Sequence, residues 1–428
     1  MATLIIGGGA AGLMAASFCP EKALLIDRLS APGRKLLATG GGRCNLTHNI
    51  GADGIAAAFG PRAGRFPLPA LRAFPPDQIR AFFRSRGVET RADADGCVFP
   101  LPDKKASDVR DALLQAARQN GAEIRSGVRA TRLLLEPDPT SSDTSARRVC
   151  GALTTQGPLQ ADRIILAAGG QSYPELGSDG SGFALAREAG LTVVTPVPAL
   201  AGLTAAEAWP ATLAGVVCDR GGMRLEEDKR LTPGPVLFTH RGLSGPPALA
   251  LSGEIAARLQ QADKGNPPAP SVTVRVSFIA ERTATDWLSL FSRWRAESGG
   301  RALHNLLSGE LPRTLAVTLC GLAGASEIAA ARASKATLQA LASACADLPL
   351  HITGTEGWHR AMLTRGGVAL SELNPKTLEC RRIRNLFCAG EVIDLDAPCG
   401  GFNLTWAFAS GRLAALAPPD TTAEKKAR

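Results

Sequence analysis

The 428-residue sequence predicts an α/β fold whose parallel sheet is written in two segments, one at each end of the chain, with β-rich and helical inserts between them. Three observations predict it. Near the N-terminus the apolar run Leu4-Ile5-Ile6 breaks into Gly7-Gly8-Gly9-Ala10-Ala11-Gly12; a small-residue segment follows, then a second apolar run, Ala23 to Ile26, closed by Asp27. That order reads as strand, glycine turn, helix, strand. Near the C-terminus, Arg384 to Cys388 leads into Ala389-Gly390-Glu391-Val392-Ile393-Asp394, and the pair Gly400-Gly401 opens a helical segment. Between the two, Thr195-Pro196-Val197-Pro198 breaks the pattern, which then turns to short strand-like runs and a Leu/Ala-rich helical stretch.

The first element carries the chemistry of a dinucleotide site. Gly7 makes the tight turn, Gly9 lets the main chain approach a pyrophosphate, and Gly12 lets the helix pack closely on the sheet. The helix N-terminus, with Ala10 and Ala11, aims unpaired N–H groups at the phosphates, and Asp27 is placed to accept from a ribose. This is a Rossmann-like unit. The apolar N-terminus has no basic residue before it and three glycines inside it, which argues against a secretory signal.

Next comes the loop SAPGRKLLATGGGRCNLTH, residues 30–48, where Lys35 follows Gly33 and Gly40-Gly41-Gly42 precede Arg43, Cys44 and Asn45. Such a loop suits close main-chain approach to a flat, anionic cofactor. Helices are expected over Pro76–Arg86, with Phe82 and Phe83 toward the core, and over Lys105–Asn120, capped by Ser107 or Asp108. Residues Ile124–Leu135 and Arg148–Leu153 read as strands of a small antiparallel meander, joined by the polar run Asp138–Ser145, a flexible-loop candidate. A buried strand, Arg163–Ala168, runs into Gly169-Gly170, where a cofactor edge passes. The turn-rich segment 171–182 holds Tyr173, the sole tyrosine, before a helix at 183–189. Beyond the proline break, Leu203–Leu231 and Val272–Ile279 suggest a β-barrel-like domain, and 284–346 a helical insert. The expected division is therefore 1–194 and 367–428 for the two parts of the nucleotide domain, 195–283 with 347–366 for the β-rich domain, and 284–346 for the helices.

An NAD dehydrogenase with one nucleotide domain has no need of the second strand, glycine and acid near the C-terminus. FAD does: the first motif holds its ADP half, and a second acid with a second helix N-terminus holds the ribityl chain and the O2 edge of the ring. No second G-x-G-x-x-G appears, since Gly177-Ser178-Asp179-Gly180-Ser181-Gly182 has the wrong spacing. No C-x-x-C or C-x4-C supports disulfide chemistry.

The totals narrow the classes. Hydrophobic residues make up 45% of the chain, yet no run of twenty lacks a charge or a break, so no membrane span is expected. The ten scattered cysteines read as reduced thiols of a cytoplasmic protein, and with five dispersed histidines they suggest no metal site. The net charge of +9 is spread along the chain. It fits compositional bias, or attraction to a polyanion such as RNA or a phosphorylated substrate.

The runs GRKLLATGGGRCNLTH, VFPLPDKKASDV, AAGGQSYPELGSDGSG, LFTHRGLSGP and AGEVIDLDAPCGGFNLTWAFASG, in this order, resemble the signatures of the BaiN/RdsA-type NAD(P)/FAD-dependent flavoproteins. Phe402 stands where relatives usually carry tyrosine and Thr405 where they usually carry glutamine. The resemblance implies a glutathione-reductase-type FAD domain in two segments, with FAD contacts at Gly7, Gly9, Ala10, Ala11, Gly12, Asp27, Arg28, Lys35, Gly41, Gly42, Arg43, Cys44, Asn45, Val128, Ala168, Gly169, Gly390, Glu391, Gly401, Phe402, Asn403 and Leu404. It implies NAD(P)H as a possible reductant and, as substrate, an alkene conjugated to a carbonyl: a steroid enone or a uracil ring in ribosomal RNA. The reaction needs an acid to protonate carbon, and the catalytic candidates are Cys44, Cys399 and His240, with Tyr173 as a further donor. Cys44 lies near a turn or helix N-terminus, where a thiol can be acidified; a small buried core thiol is the equal alternative for it and for Cys399, as a structural histidine is for His240. The alternative is a non-catalytic flavoprotein acting as a structural or redox-sensing element.

Overall fold

In the computed structural model the described residues are 2–140, 144–263 and 270–418. They form two compact units, one made of residues 1–196 with 363–428 and the other of residues 197–362. Each has its own apolar core.

The first unit is built on a five-stranded parallel sheet in the order Leu386–Cys388, Arg163–Leu166, Thr3–Ile6, Ala23–Asp27, Glu123–Ser126. Ile5 lies in register with Ile165 on one side and Leu25 on the other. All four residues of Thr3–Ile6 and of Arg163–Leu166 are buried, as the strands of a parallel sheet covered on both faces must be. The central strand has the next strand in sequence on one side and a much later one on the other. Such a reversal opens a crevice at the carboxyl ends of the strands, where ligands bind in this class of sheet. Gly7 and Ala167 stand at that crevice: a Cβ on Gly7, whose φ is +108°, would lie 2.4 Å from the Ala167 carbonyl oxygen.

Two helices pack on each other beside this sheet. Ala10–Phe18 follows the glycine turn and is buried from Ala11 to Ser17. Phe402–Leu416 packs against it so closely that a Cβ on Gly411 would come within 2.2 Å of the Ala11 carbonyl oxygen. Arg163 fixes the far end of this second helix, donating to the Ala415 carbonyl at 3.2 Å and also to that of Ala414.

Several local expectations change on folding. Ile124 does not open the meander: Glu123–Ser126 joins the main sheet, parallel to Ala23–Asp27, and only Ala130–Pro137 pairs antiparallel with Arg147–Thr154. Gly127, at φ +74°, breaks the run between them. The helix at Ala106–Gln119 starts after Lys105, not at Ser107 or Asp108; Asp108 instead reaches back to accept from the Lys105 N–H at 2.9 Å. The helix from Pro76 ends at Arg84, with Ser85 as its cap, and the one after the tyrosine turn spans Ser181–Glu188. Within the polar run Asp138–Ser145, residues 141–143 lie outside the described residues.

The second unit holds an eight-stranded antiparallel sheet. Its strands include Leu203–Ala205, Gly222–Leu225, Val272–Ser277 and Leu348–Thr355, and the helices Ala284–Glu297, Leu303–Leu307, Arg313–Leu322 and Lys335–Ala346 belong to the same unit and share one apolar core with the sheet. The segment's ends lie side by side, since the Met362 N–H bonds to the Leu200 carbonyl at 3.3 Å. Among the described residues no helix is long and apolar enough to cross a membrane.

Candidate functional site

The glycine turn has the open cradle that a dinucleotide needs. Gly9 caps the helix Ala10–Phe18 with no side chain on its N–H groups. A Cβ on Gly9 would meet no protein atom within 4 Å, whereas one on Gly12 would lie 1.9 Å from the Gly7 carbonyl oxygen. So Gly12 is required by packing, and Gly9 borders free space. Asp27 is already engaged: its Oδ2 accepts from Gly8 N–H at 2.8 Å and its Oδ1 from Leu29 N–H at 2.7 Å. Burial raises its pKa from the usual carboxylate value, against the lowering effect of those bonds. Each oxygen keeps a second lone pair for an incoming hydroxyl. Val128 is buried beside it and donates to the Asp27 carbonyl.

At the second motif the same features recur. Gly401, at φ +85°, caps the helix Phe402–Leu416, again without a side-chain partner for the N–H groups of Phe402, Asn403 and Leu404. Helix N-termini left bare in this way attract negative charge. The Asn403 side chain is turned back to bond both polar groups of Ala397, at 3.0 and 2.7 Å. Gly390 is held by this helix as well: its N–H donates to Ser410 Oγ at 2.9 Å and its carbonyl accepts from the Trp406 indole at 3.2 Å. A Cβ on Gly390 would lie 2.8 Å from the Ala11 side chain, which brings the two motifs together.

Lys35 and Glu391, both expected at the cofactor, bind each other. Lys35 Nζ lies 2.6 Å from Glu391 Oε2 and 2.6 Å from Ser172 Oγ, while Glu391 Oε1 accepts from Ser172 Oγ at 3.0 Å and Thr364 N–H at 2.9 Å. Ser172 and Thr364 are fully buried in this network, and the sequence held no signal for them because 35, 172, 364 and 391 share no local spacing. Arg28 likewise serves the protein, donating to the carbonyls of Pro174 and Gly177 and pairing with Asp179 at 3.4 Å. That bracket shapes the turn in which Tyr173 takes φ +52°; the strand before it ends at Leu166 rather than Ala168, and Ala168 and Gly169 lie in the loop that follows, Gly169 at φ +74°. Arg43 is exposed, 4.0 Å over the Phe99 ring and 3.8 Å from Asp93.

Gly40, Gly41 and Gly42 are all left-handed, as is Cys44 at φ +62°. A Cβ on Gly41 would meet open space. The Asn45 amide, in the orientation that satisfies its neighbours, accepts from Gly401 N–H at 3.2 Å and donates to the carbonyls of Thr47 and Val98. The glycine loop and the second helix N-terminus are thus one structure.

The thiol expectations change most. Cys44 is fully buried, and burial pushes its pKa to about 12, so it is not the acidified thiol that its loop position suggested. A hydrogen bond with the Thr39 side chain offsets the desolvation only in part. Cys399 is exposed as a residue, yet the protein around its sulfur still raises its pKa, which keeps it protonated at neutral pH. His240 lies in the second unit, exposed, in the turn between the strands Val236–Phe238 and Gly242–Ser244.

The family described as the HI0933-like protein Rossmann domain matches residues 1–417. The chain belongs to this family. It is 33% identical over 425 residues to the 3-dehydro-bile acid delta(4,6)-reductase of Clostridium scindens, covering 96% of this chain and 98% of that one. It is 28% identical over 421 residues to the ribosomal RNA dihydrouridine synthase of Escherichia coli, covering 95% of both. These are the two kinds of protein for which the resembled type is named. Among solved structures, the Escherichia coli quinol fumarate reductase FrdA shares the fold, with a TM-score of 0.50 at 16% identity over 100% of this chain and 73% of that one. The HI0933-like assignment agrees with the parallel sheet and glycine turn described above, and with an oxidoreductase class for the chain.

Proposed function

We propose that the chain is an FAD-dependent oxidoreductase that reduces a C=C bond conjugated to a carbonyl, with NAD(P)H as reductant. One observation carries this reading: two helix N-termini without side-chain caps, at Gly9 and Gly401, are joined through Gly390, Gly411 and Ala11 within a single unit. A nucleotide of NAD length held in one motif leaves the second without a task.

The residues present fit FAD. The N–H groups after Gly9 would meet the pyrophosphate, Asp27 the adenosine ribose, Lys35 and Glu391, held in place by the buried Ser172 and Thr364, the ribityl region, and the N–H groups after Gly401 the ring's carbonyl edge. When bound, the flavin supplies hydride chemistry. The chain's own residues then have to bind the acceptor and supply a proton. Cys399 suits the second task, being exposed beside the Gly400–Gly401 turn and protonated. Relatives named for reductions support an enzyme over a redox sensor. The enone and the uracil ring share one reacting group, and the higher identity favours the steroid-type enone.

The test is an anaerobic absorption spectrum before and after NADPH, followed by a 3-keto-4,6-diene steroid or ribosomal RNA. A flavin band that bleaches with NADPH and returns with one acceptor supports the proposal and names the substrate. Bleaching with dithionite alone removes NADPH from it. Absence of flavin after refolding with FAD defeats it.

A further inference from the structure

We infer that His48 is a positioning residue that sets the second helix N-terminus, and through it the reduction potential of the bound flavin. This rests on the FAD reading above. The turn Gly400-Gly401 has positive φ at both residues, +135° and +85°, and no side chain of its own to hold it. Its main-chain groups are held instead by the strand end after the glycine loop. His48 Nδ1 lies 3.1 Å from the Gly400 carbonyl, and since a carbonyl only accepts, that nitrogen carries the hydrogen. Asn45 accepts from Gly401 N–H, and Thr47 Oγ1 bonds Thr405 Oγ1 at 2.7 Å one turn into the helix.

His48 differs from its neighbours in also presenting a ring. It stacks on Phe402, the first helical residue, with centroids 4.9 Å apart and planes 23° from parallel. Gly400 lies against the same ring, where a Cβ would come within 2.5 Å of Phe402 Cε2. Gly96 stands against the other ring nitrogen, where a Cβ would lie 2.5 Å from Nε2. The bond to Gly400 spans 352 residues of sequence. One half-buried imidazole therefore fixes both the carbonyl before the cap and the side chain after it. The direction of the bare N–H groups at Phe402, Asn403 and Leu404 follows, and such groups stabilise negative charge where it develops.

The experiment uses the full-length protein and three variants: H48F keeps a ring without a donor, H48A removes both, and H48N restores a donor. Circular dichroism and thermal melts of the FAD-free proteins identify the folded variants. FAD affinity and midpoint potential are then measured. Expected in any folded loss variant, H48F or H48A, are a FAD Kd raised about three- to tenfold, the size of one lost hydrogen bond, and a more negative potential. H48N should sit nearer the parent protein in both. Parent-like affinity and potential in a folded H48F or H48A overturn the inference while leaving FAD binding intact. Failure of the parent protein to bind FAD overturns both.

Discussion

The two glycines of the first turn show how one residue type answers to different constraints. Gly9 has φ −77° and open space beside it, so Gly9→Ala should fold with an unchanged melting temperature. Its methyl would stand in the phosphate cradle and weaken FAD at least about tenfold, or roughly 1.4 kcal/mol; equal affinity by fluorescence titration would place the cradle elsewhere. Gly12→Ala drives a methyl into the Gly7 carbonyl, and should cost about 3 kcal/mol or prevent folding altogether. The buried thiols carry a pH signature. The folded state raises the Cys44 and Cys218 pKa values to about 12 and that of Cys320 to about 11, from 9.0. Above pH 9 the unfolded chain loses these protons and the folded chain keeps them. Stability should hold below pH 9 and fall from 9 to about 12 for Cys44 and Cys218 and to about 11 for Cys320, by at most about 1.4 kcal/mol per pH unit for each thiol. Chemical denaturation at pH 8, 9 and 10 should show a shallower slope for Cys44→Ala than for the parent protein. For Cys399 as the proposed proton donor, Cys399→Ala should slow turnover of the acceptor about a hundredfold or more with flavin reduction unaffected, as loss of a general acid does; stopped-flow traces of the two half-reactions separate these. At this scale Gly9, Gly12 and Asp27 were legible because one turn fixes them locally. The pairing of Lys35 with Glu391 was not, since it depends on where a turn 356 residues away comes to lie.

Among the elements, the final helix joins site and core. Its inner side carries Trp406, Phe408, Ser410 and Gly411, and small residues let it seat directly on the main chain of the first helix. Gly411→Leu places a side chain where 2.2 Å separates an ideal Cβ from a carbonyl oxygen. Neither helix can back away without losing Gly390, which both contact. The variant should show no cooperative melt or a melting temperature lowered by more than ten degrees, several kcal/mol for a core this tight; an unchanged melt would mean the two helices are not packed as described. The strand Glu123–Ser126 carries the opposite lesson. Its pattern, like that of the meander that follows it, shows strand propensity and nothing about partners, and Gly127 separates the two only once a left-handed turn is needed.

At the scale of the molecule the chain is one unit written in two pieces around another. Residues 197–362 hold their own apolar core, and their ends meet at Leu200 and Met362. Expressed alone, this segment should unfold cooperatively and bind no FAD, by calorimetry and fluorescence; a molten product would show that its core needs the rest of the chain. What the sequence by itself determined were the features with a fixed local spacing, the first βαβ unit and the return of the fold at residue 384 and beyond. These follow from hydrophobic alternation and from glycines that only certain backbones require. The β-rich and helical stretches between them, expected as separate parts, share one core. What only the tertiary structure decided was which polar groups are spent on the protein itself. Cys44 became an inert core thiol, Arg28 a loop bracket, and His48 the holder of a turn. The physical reason is that burial and hydrogen-bond partners are set by contacts across hundreds of residues, and no local pattern encodes the dielectric in which a side chain finally sits.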